Sequence, residues 1–319
     1  MTIEHAAMHM HRKPWGSTDL LPWVAAPADG DAIGEVWFER ADAAAPKSTL
    51  LLKLLFTSEP LSIQVHPDDE FARFIGLPNG KTEAWYILSA KPGAQVAIGL
   101  KYPLSSAELR VSIQDGSIAE KVQWRPVREG DAIFVPAGTI HAIGAGIILA
   151  EIQQQSDATF RLFDYGRQRG LHVDLAVATA RAGQPDSQPA SLRLSEARTA
   201  LIVSPHFVLE QLDLPASSIW ALAAPKETWV LILGGCARIG SIHASPGDAV
   251  FMDADRAGIE AGTEGMTGLL AYLGPNVNSS AIERQSDVGT AGDPASTRAP
   301  STQTASEYLP PLAEQEAQT

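Results

Sequence analysis

The stretch Gly130-Asp131-Ala132-Ile133-Phe134-Val135-Pro136-Ala137-Gly138-Thr139-Ile140-His141 constrains this chain more than any other. A glycine, a short apolar run, a Pro-x-Gly turn and a histidine specify a strand, a sharp reversal and an imidazole delivered just past it. A second stretch makes a similar offer. In Leu61-Ser62-Ile63-Gln64-Val65-His66, apolar and polar residues alternate. A strand places Leu61, Ile63 and Val65 on one face and Ser62, Gln64 and His66 on the other, and Pro67 ends it. Lys81 to Leu88 is a third strand and carries Glu83, while Thr49 to Phe56 reads as a buried strand. An amide oxygen, two imidazoles and a carboxylate, from Gln64, His66, Glu83 and His141, suit one divalent ion of borderline hardness per chain. Zinc is the first choice, with another divalent metal as the alternative.

The spacing of residues 130–141 matches the second sequence motif of cupin barrels, G-x5-P-x-G-x2-H. The first cupin motif departs from the usual pattern. Gln64 stands where generic cupins have a histidine, and Glu83 lies much further along the chain. In that departure the chain resembles the class I mannose-6-phosphate isomerases (phosphomannose isomerases) in their shorter bacterial form. Their marks are L-S-x-Q-x-H-P-D, G-K-T-E-x-W-Y, V-P-A-G-x-x-H and S-D-x-x-x-R. Here these are Leu61 to Asp68, Gly80 to Tyr86, Val135 to His141 and Ser156 to Arg161. The resemblance runs from about Lys13 to Gly274 and is specific over residues 60–167.

The resemblance implies an all-β double cupin, a pair of jelly-roll β-barrels with small helical insertions. It also implies reversible conversion of mannose 6-phosphate to fructose 6-phosphate through a cis-enediol(ate). It places the metal on Gln64, His66, Glu83 and His141, and catalytic residues at Lys81, Asp157 and Arg161. Strand alternation turns Lys81 to the same side as Glu83. A buried cation there, with Arg161 nearby, calls for an anionic partner such as a sugar phosphate or an enediolate. Arg161 is assigned to stabilising the enediolate or the phosphate, and Asp157 and Lys81 to proton handling. Lys81 and Arg161 are also the substrate-binding candidates, with Ser62 either touching phosphate or supporting its strand. Larger members carry a histidine just before the lysine. Here Gly80 occupies that place, so the role of that histidine does not carry over. The alternatives are a cupin isomerase acting on another sugar, a non-catalytic sugar-binding cupin, and a metal-free structural bicupin.

At 319 residues, with 45% hydrophobic content, the chain is long enough for two domains with sizeable cores. Residues 1–182 read as the metal-binding cupin. Within them, 1–30 form an irregular arm and Leu104 to Gly116 a helical insertion. Residues 183–190 read as a linker, and 195–275 as a second, degenerate cupin. There Gly247-Asp248-Ala249-Val250-Phe251 echoes Gly130-Asp131-Ala132-Ile133-Phe134, but no counterparts of Pro136 and His141 follow. That second copy is therefore expected to be metal-free. Residues 276–319, rich in Ser, Thr, Ala, Pro, Gln and Glu, are expected to be a disordered tail. A net charge of −13 argues against nucleic acid as a partner. One cysteine, Cys236, suits a reducing cytoplasm. No apolar run approaches the roughly 20 residues of a membrane span, and the N-terminus lacks signal-peptide character. The expected partner is a small phosphorylated sugar, with no membrane involved.

Overall fold

The computed structural model describes residues 2–285, and its secondary structure is mostly β with a few short helices. A six-stranded antiparallel sheet runs in the order Ala7–His11, Glu35–Glu39, Leu50–Thr57, Ile147–Gln154, Glu83–Ala90, Ala132–Val135. A five-stranded sheet runs Phe160–Phe163, Ile63–Val65, His141–Ile143, Gln95–Leu100, Val122–Pro126. The two sheets pack on each other through Leu55, Trp85, Ile87 and Ile133 from the first and Val96, Ile98 and Ile143 from the second.

Leu50–Thr57 is buried along its whole length because both faces of its sheet are covered. Leu50, Leu52, Leu54 and Phe56 point to one face. There they share a core with Leu209, Trp229, Leu231 and Leu269 of the C-terminal half. Full burial of each such side chain stabilises by roughly 1.5–3 kcal/mol, so this strand binds the two halves together. On its other face Leu55 packs into the space between the two sheets, and Lys53 opens on a cavity there.

The outer face of the five-stranded sheet is covered by helices. Ile63, Val65, Leu100, Phe160 and Leu162 meet Leu109 and Ile113 of Ser106–Gln114 and Ala176 of Val173–Thr179. The expected insertion is thus helical over Ser106–Gln114, followed by a short turn of helix at Ile118–Lys121. Its start has a local cause. The Ser105 hydroxyl accepts from the Glu108 N–H, and the Glu108 carboxylate accepts from the Ser105 N–H at 2.8 Å.

Two expectations are corrected. The N-terminal arm is irregular only after His11. Thr2–His5 pairs with Ala249–Asp253 of the C-terminal half, and Ala7–His11 pairs with Glu35–Glu39. These strands exist because they complete open sheet edges, which their own His- and Met-rich sequence does not advertise. The tail expected from Asn276 also starts too early. Ile282–Arg284 is a strand paired with Ile219–Ala224, and Ala281 and Ile282 fill the C-terminal core. Two apolar residues suffice for this, too few to register in an averaged composition. The rest of the expected tail, 286–319, lies outside the described residues.

The C-terminal half contributes to a ten-stranded sheet. Its echo of the Gly130 turn extends to geometry. Gly130 and Gly247 both have positive φ, 85° and 94°. Asp131 accepts from the Arg128 N–H at 3.0 Å, and Asp248 accepts from the Ser245 N–H at 2.9 Å. Each aspartate thus closes the same turn ahead of a strand. The linker at 183–190 is tied down by Gln188, whose amide pairs with both the N–H and the C=O of Phe134.

Candidate active site

Two strands, carrying Glu83 and His141, and the residue just past a third, His66, bring these three side chains together. Their donor atoms all lie within 4.8 Å of one another, and each side chain is 1% exposed. The His66 ring follows the strand Ile63–Val65. Its backbone carbonyl accepts from the Gly138 N–H at 2.8 Å, which fixes the Pro136–Gly138 turn beside it. Gly138 has φ 83°, a conformation that favours glycine, so the motif's glycine is a backbone requirement. From that turn the chain enters His141–Ile143, where His141 stands directly across from Gln64.

Hydrogen bonds preset both imidazoles as ligands. His66 Nδ1 donates to the Ala158 carbonyl at 2.7 Å, and His141 Nδ1 donates to the Thr139 carbonyl at 2.9 Å. A carbonyl only accepts, so the proton sits on Nδ1 and each Nε2 presents a lone pair. Those lone pairs face the two oxygens of Glu83, each pair at 3.4 Å. Burial, with Lys81 as a second cause, pushes His66 down to about 3. Burial also lowers His141. Two neutral imidazoles aimed at a carboxylate are electrostatically unfavourable without a cation between them. His66 Nε2 and Glu83 Oε2 are accordingly buried with no hydrogen-bond partner. The donor set therefore fits a small divalent ion. Gln64 lies at the edge of this group, with its amide nitrogen 3.3 Å from His141 Nε2. A half-turn of the amide brings the oxygen to the same place.

The expected catalytic residues gather beside this centre. A cavity of about 330 Å³ is lined by Gln64, Lys81, Asp157 and Arg161 together with Lys13, Lys53, Arg169, Glu35 and Glu151. It carries five Lys and Arg side chains against three carboxylates, in a chain whose net charge is −13. Lys81 Nζ lies 3.3 Å from Glu83 Oε2. Burial works against its charge, but Glu83, Glu151, Glu35 and Asp157 outweigh this and hold the ammonium above its ordinary value. Arg161 stands across from Gln64 between Phe160–Phe163 and Ile63–Val65, and its buried Nε has no hydrogen-bond partner. Ser62 is also buried, with Oγ 3.1 Å from Gln64 Oε1; it donates there, or accepts from the amide N–H once the amide is turned, so its hydroxyl supports the amide in either orientation.

Gly80 has a steric reason. A Cβ there would lie 2.5 Å from the Asp68 carbonyl carbon and 2.6 Å from the Pro67 oxygen. No side chain fits, so the histidine of larger isomerases has no counterpart at this position.

Several cavity residues were not singled out from sequence. Lys53 donates to Gln153 Oε1 at 2.7 Å and lies 3.2 Å from Glu151. Glu151 accepts from Trp85 Nε1, which also donates to Glu83, each at 3.1 Å. Burial and the nearby Glu83 charge raise the Glu151 carboxyl, against the pull of Lys53 and Lys81. Alternation along Leu50–Thr57 puts Lys53 on the face of Leu55, a signal present in the sequence. Arg169 and His172 had no such signal. They lie in a segment without strand periodicity, and the chain's path alone brings them to the cavity.

No protein-family model matches the chain. A curated mannose-6-phosphate isomerase from Streptococcus mutans is 38% identical over 198 residues, covering 60% of this chain and 62% of that relative. In sequence, the chain resembles the mannose-6-phosphate isomerases. It spans about three fifths of the length of that relative. The mannose 6-phosphate isomerase structure from Bacillus subtilis superposes with a TM-score of 0.74 at 24% identity, covering 85% of this chain and 100% of that one. A mannose 6-phosphate isomerase bound with zinc and yttrium superposes with a TM-score of 0.66 at 15% identity, covering 86% of this chain and 100% of that one. These structural likenesses show the shared fold, the cupin fold of the mannose 6-phosphate isomerases. No helix among the described residues is long and apolar enough to cross a membrane.

Proposed function

We propose that this chain is an aldose–ketose isomerase interconverting mannose 6-phosphate and fructose 6-phosphate, with one zinc ion held by Gln64, His66, Glu83 and His141. The observation that carries this reading is the buried His66–Glu83–His141 group opening through Gln64 onto a cationic cavity. The isomerase names and the zinc of the relatives support it. Bound there, the ion supplies Lewis-acid stabilisation for negative charge developing at the substrate's first two carbons.

The chain's own residues do the rest. Lys81 and Asp157 line the cavity and are the groups assigned to move the proton between C2 and C1. Arg161 offers a guanidinium with an unpartnered Nε, suited to the enediolate or the phosphate. Lys53 and Glu151 hold Trp85, and through it the Glu83 carboxylate, in place. The same reading takes residues 1–182 as the catalytic cupin and 195–275 as a second cupin derived from it. The matched turns at Asp131 and Asp248 support that division.

The test is a coupled assay of mannose 6-phosphate conversion to fructose 6-phosphate on purified protein, before and after chelation and with zinc restored. Chelator-sensitive turnover that zinc restores is the expected result. A zinc-loaded protein that does not convert mannose 6-phosphate would overturn the assignment. The metal-dependent reading would then move to another sugar, or to binding without turnover.

A further inference from the structure

The substrate's anionic group was assigned above to Ser62, Lys81 and Arg161, but two of these are engaged at the metal end. Ser62 is occupied with Gln64, and Lys81 with Glu83. The cavity's other end is built differently. Gln64, Arg161 and His172 stand in one row across successive backbone segments. Arg161 is opposite Gln64, and the His172 N–H donates to the Arg161 carbonyl at 2.9 Å. Two interstrand spacings separate Gln64 from His172, roughly 10 Å, comparable to the reach of an extended sugar phosphate.

Both His172 and Arg169 are held as donors. The Arg161 N–H donates to His172 Nδ1 at 3.1 Å, so the ring proton sits on Nε2. Burial, then the Arg161 charge, keeps this imidazole below its ordinary value and hence neutral. Asp164, itself buried, accepts from Arg169 Nε at 2.7 Å and from Nη2 at 2.6 Å. That fork fixes the guanidinium over the Trp15 ring, 5.2 Å from its centroid, and no hydrogen bond among the described residues engages Nη1. Arg161 makes no ion pair among the described residues. A guanidinium held by Asp164, an imidazole N–H held by the Arg161 backbone, and the unpartnered Arg161 guanidinium together suit a tetrahedral oxyanion.

We propose that Arg169 and His172, together with Arg161, bind the phosphate monoester of the substrate and set the preference for phosphorylated over free sugars. This rests on the isomerase reading for the identity of the substrate, but not for the anion itself.

The test titrates inorganic phosphate into the zinc-loaded protein by calorimetry, for the wild type, Arg169→Met, His172→Phe and His172→Gln. The expected result is binding to the wild type that weakens about tenfold or more in Arg169→Met and His172→Phe, as for loss of a strong hydrogen bond. His172→Gln, which keeps an N–H near the same place, retains most of it. In steady state the first two variants raise KM for mannose 6-phosphate more than they lower kcat. Phosphate held by zinc alone would be insensitive to all three substitutions. Unchanged phosphate affinity in His172→Phe and Arg169→Met, or no phosphate binding by the wild type, would overturn the proposal. Arg169→Met removes the two-pronged partner of buried Asp164 and leaves it only Arg167, 3.3 Å away, so if that variant fails to fold, His172→Phe decides. Phosphate binding that depends on these residues in a protein without isomerase turnover would sink the isomerase reading and keep the subsite. Turnover with unaltered phosphate affinity in the variants would do the reverse.

Discussion

Gln64 and Arg161 face each other across the pair formed by Ile63–Val65 and Phe160–Phe163. Residues directly opposite in an antiparallel pair turn their side chains to the same face. A metal-ligand candidate and a charge donor are therefore set side by side by backbone register. Arg161→Ala should keep its zinc and lose turnover by roughly 100- to 1,000-fold, the usual cost of removing one preorganised donor. Metal analysis and kcat on the same preparation check this, and loss of both together would place Arg161 in the metal centre instead.

His66→Ala and His141→Ala should lose metal and activity together. Changes behind the ligands commonly cost about 10- to 100-fold in metal affinity or activity, so removing a ligand should exceed that. Zinc content and turnover are the measurements. A metal-free but active His141→Ala variant would remove His141 from the site.

Without metal, the site should make stability fall in acid. His66 and His141 are both held below the ordinary value of 6.5, His66 at about 3, with burial the main cause. Between about pH 3 and 6.5 these two groups bind more protons in the unfolded chain than in the folded one, so their contribution to stability rises with pH, against a smaller opposing contribution from the single raised carboxyl of Glu151. Glu83 acts in the same direction below about pH 4.5. Burial opposes its ionisation, but Lys81 and then His66 hold its carboxyl well below the usual range. Urea midpoints of the chelated protein should drop steadily on acidification from about pH 7 to 5. A flat profile would mean that these imidazoles are not buried and neutral.

Gly80→Ala should destabilise without touching a ligand. The added Cβ meets the backbone of Pro67 and Asp68 at 2.5–2.6 Å, where no flexible side chain can yield. Overpacking of this kind costs about 1–3 kcal/mol. Chemical denaturation of the zinc-loaded protein measures it, and unchanged stability would show that this backbone approach is not tight.

The site was legible in sequence where chemistry rests on local periodicity. Alternation through Ser62, Gln64 and His66, and the turn spacing from Gly130 to His141, place their side chains through rules of strand and turn geometry. The same holds for the Ser105–Glu108 cap, which fixes a helix start with four residues. Lys53 was readable too, through the face it shares with Leu55 on Leu50–Thr57. A lysine in an apolar run becomes informative only with its partners Gln153 and Glu151, which lie about a hundred residues along the chain.

Local patterning accounts for the β character of the chain, the candidate ligands Gln64, His66, Glu83 and His141, and the cations Lys81 and Arg161. Other features exist only because distant segments meet. The edge strands Thr2–His5 and Ala7–His11 form because Ala249–Asp253 and Glu35–Glu39 offer unpaired backbone groups. Ile282–Arg284 forms because Ile219–Ala224 does the same. Arg169 and His172 reach the cavity because the chain after Phe163 turns back on Asp164 and Arg161. Strand alternation follows from neighbours in the chain, whereas the pairing of an edge or the filling of a pocket wall depends on surfaces that exist only after folding.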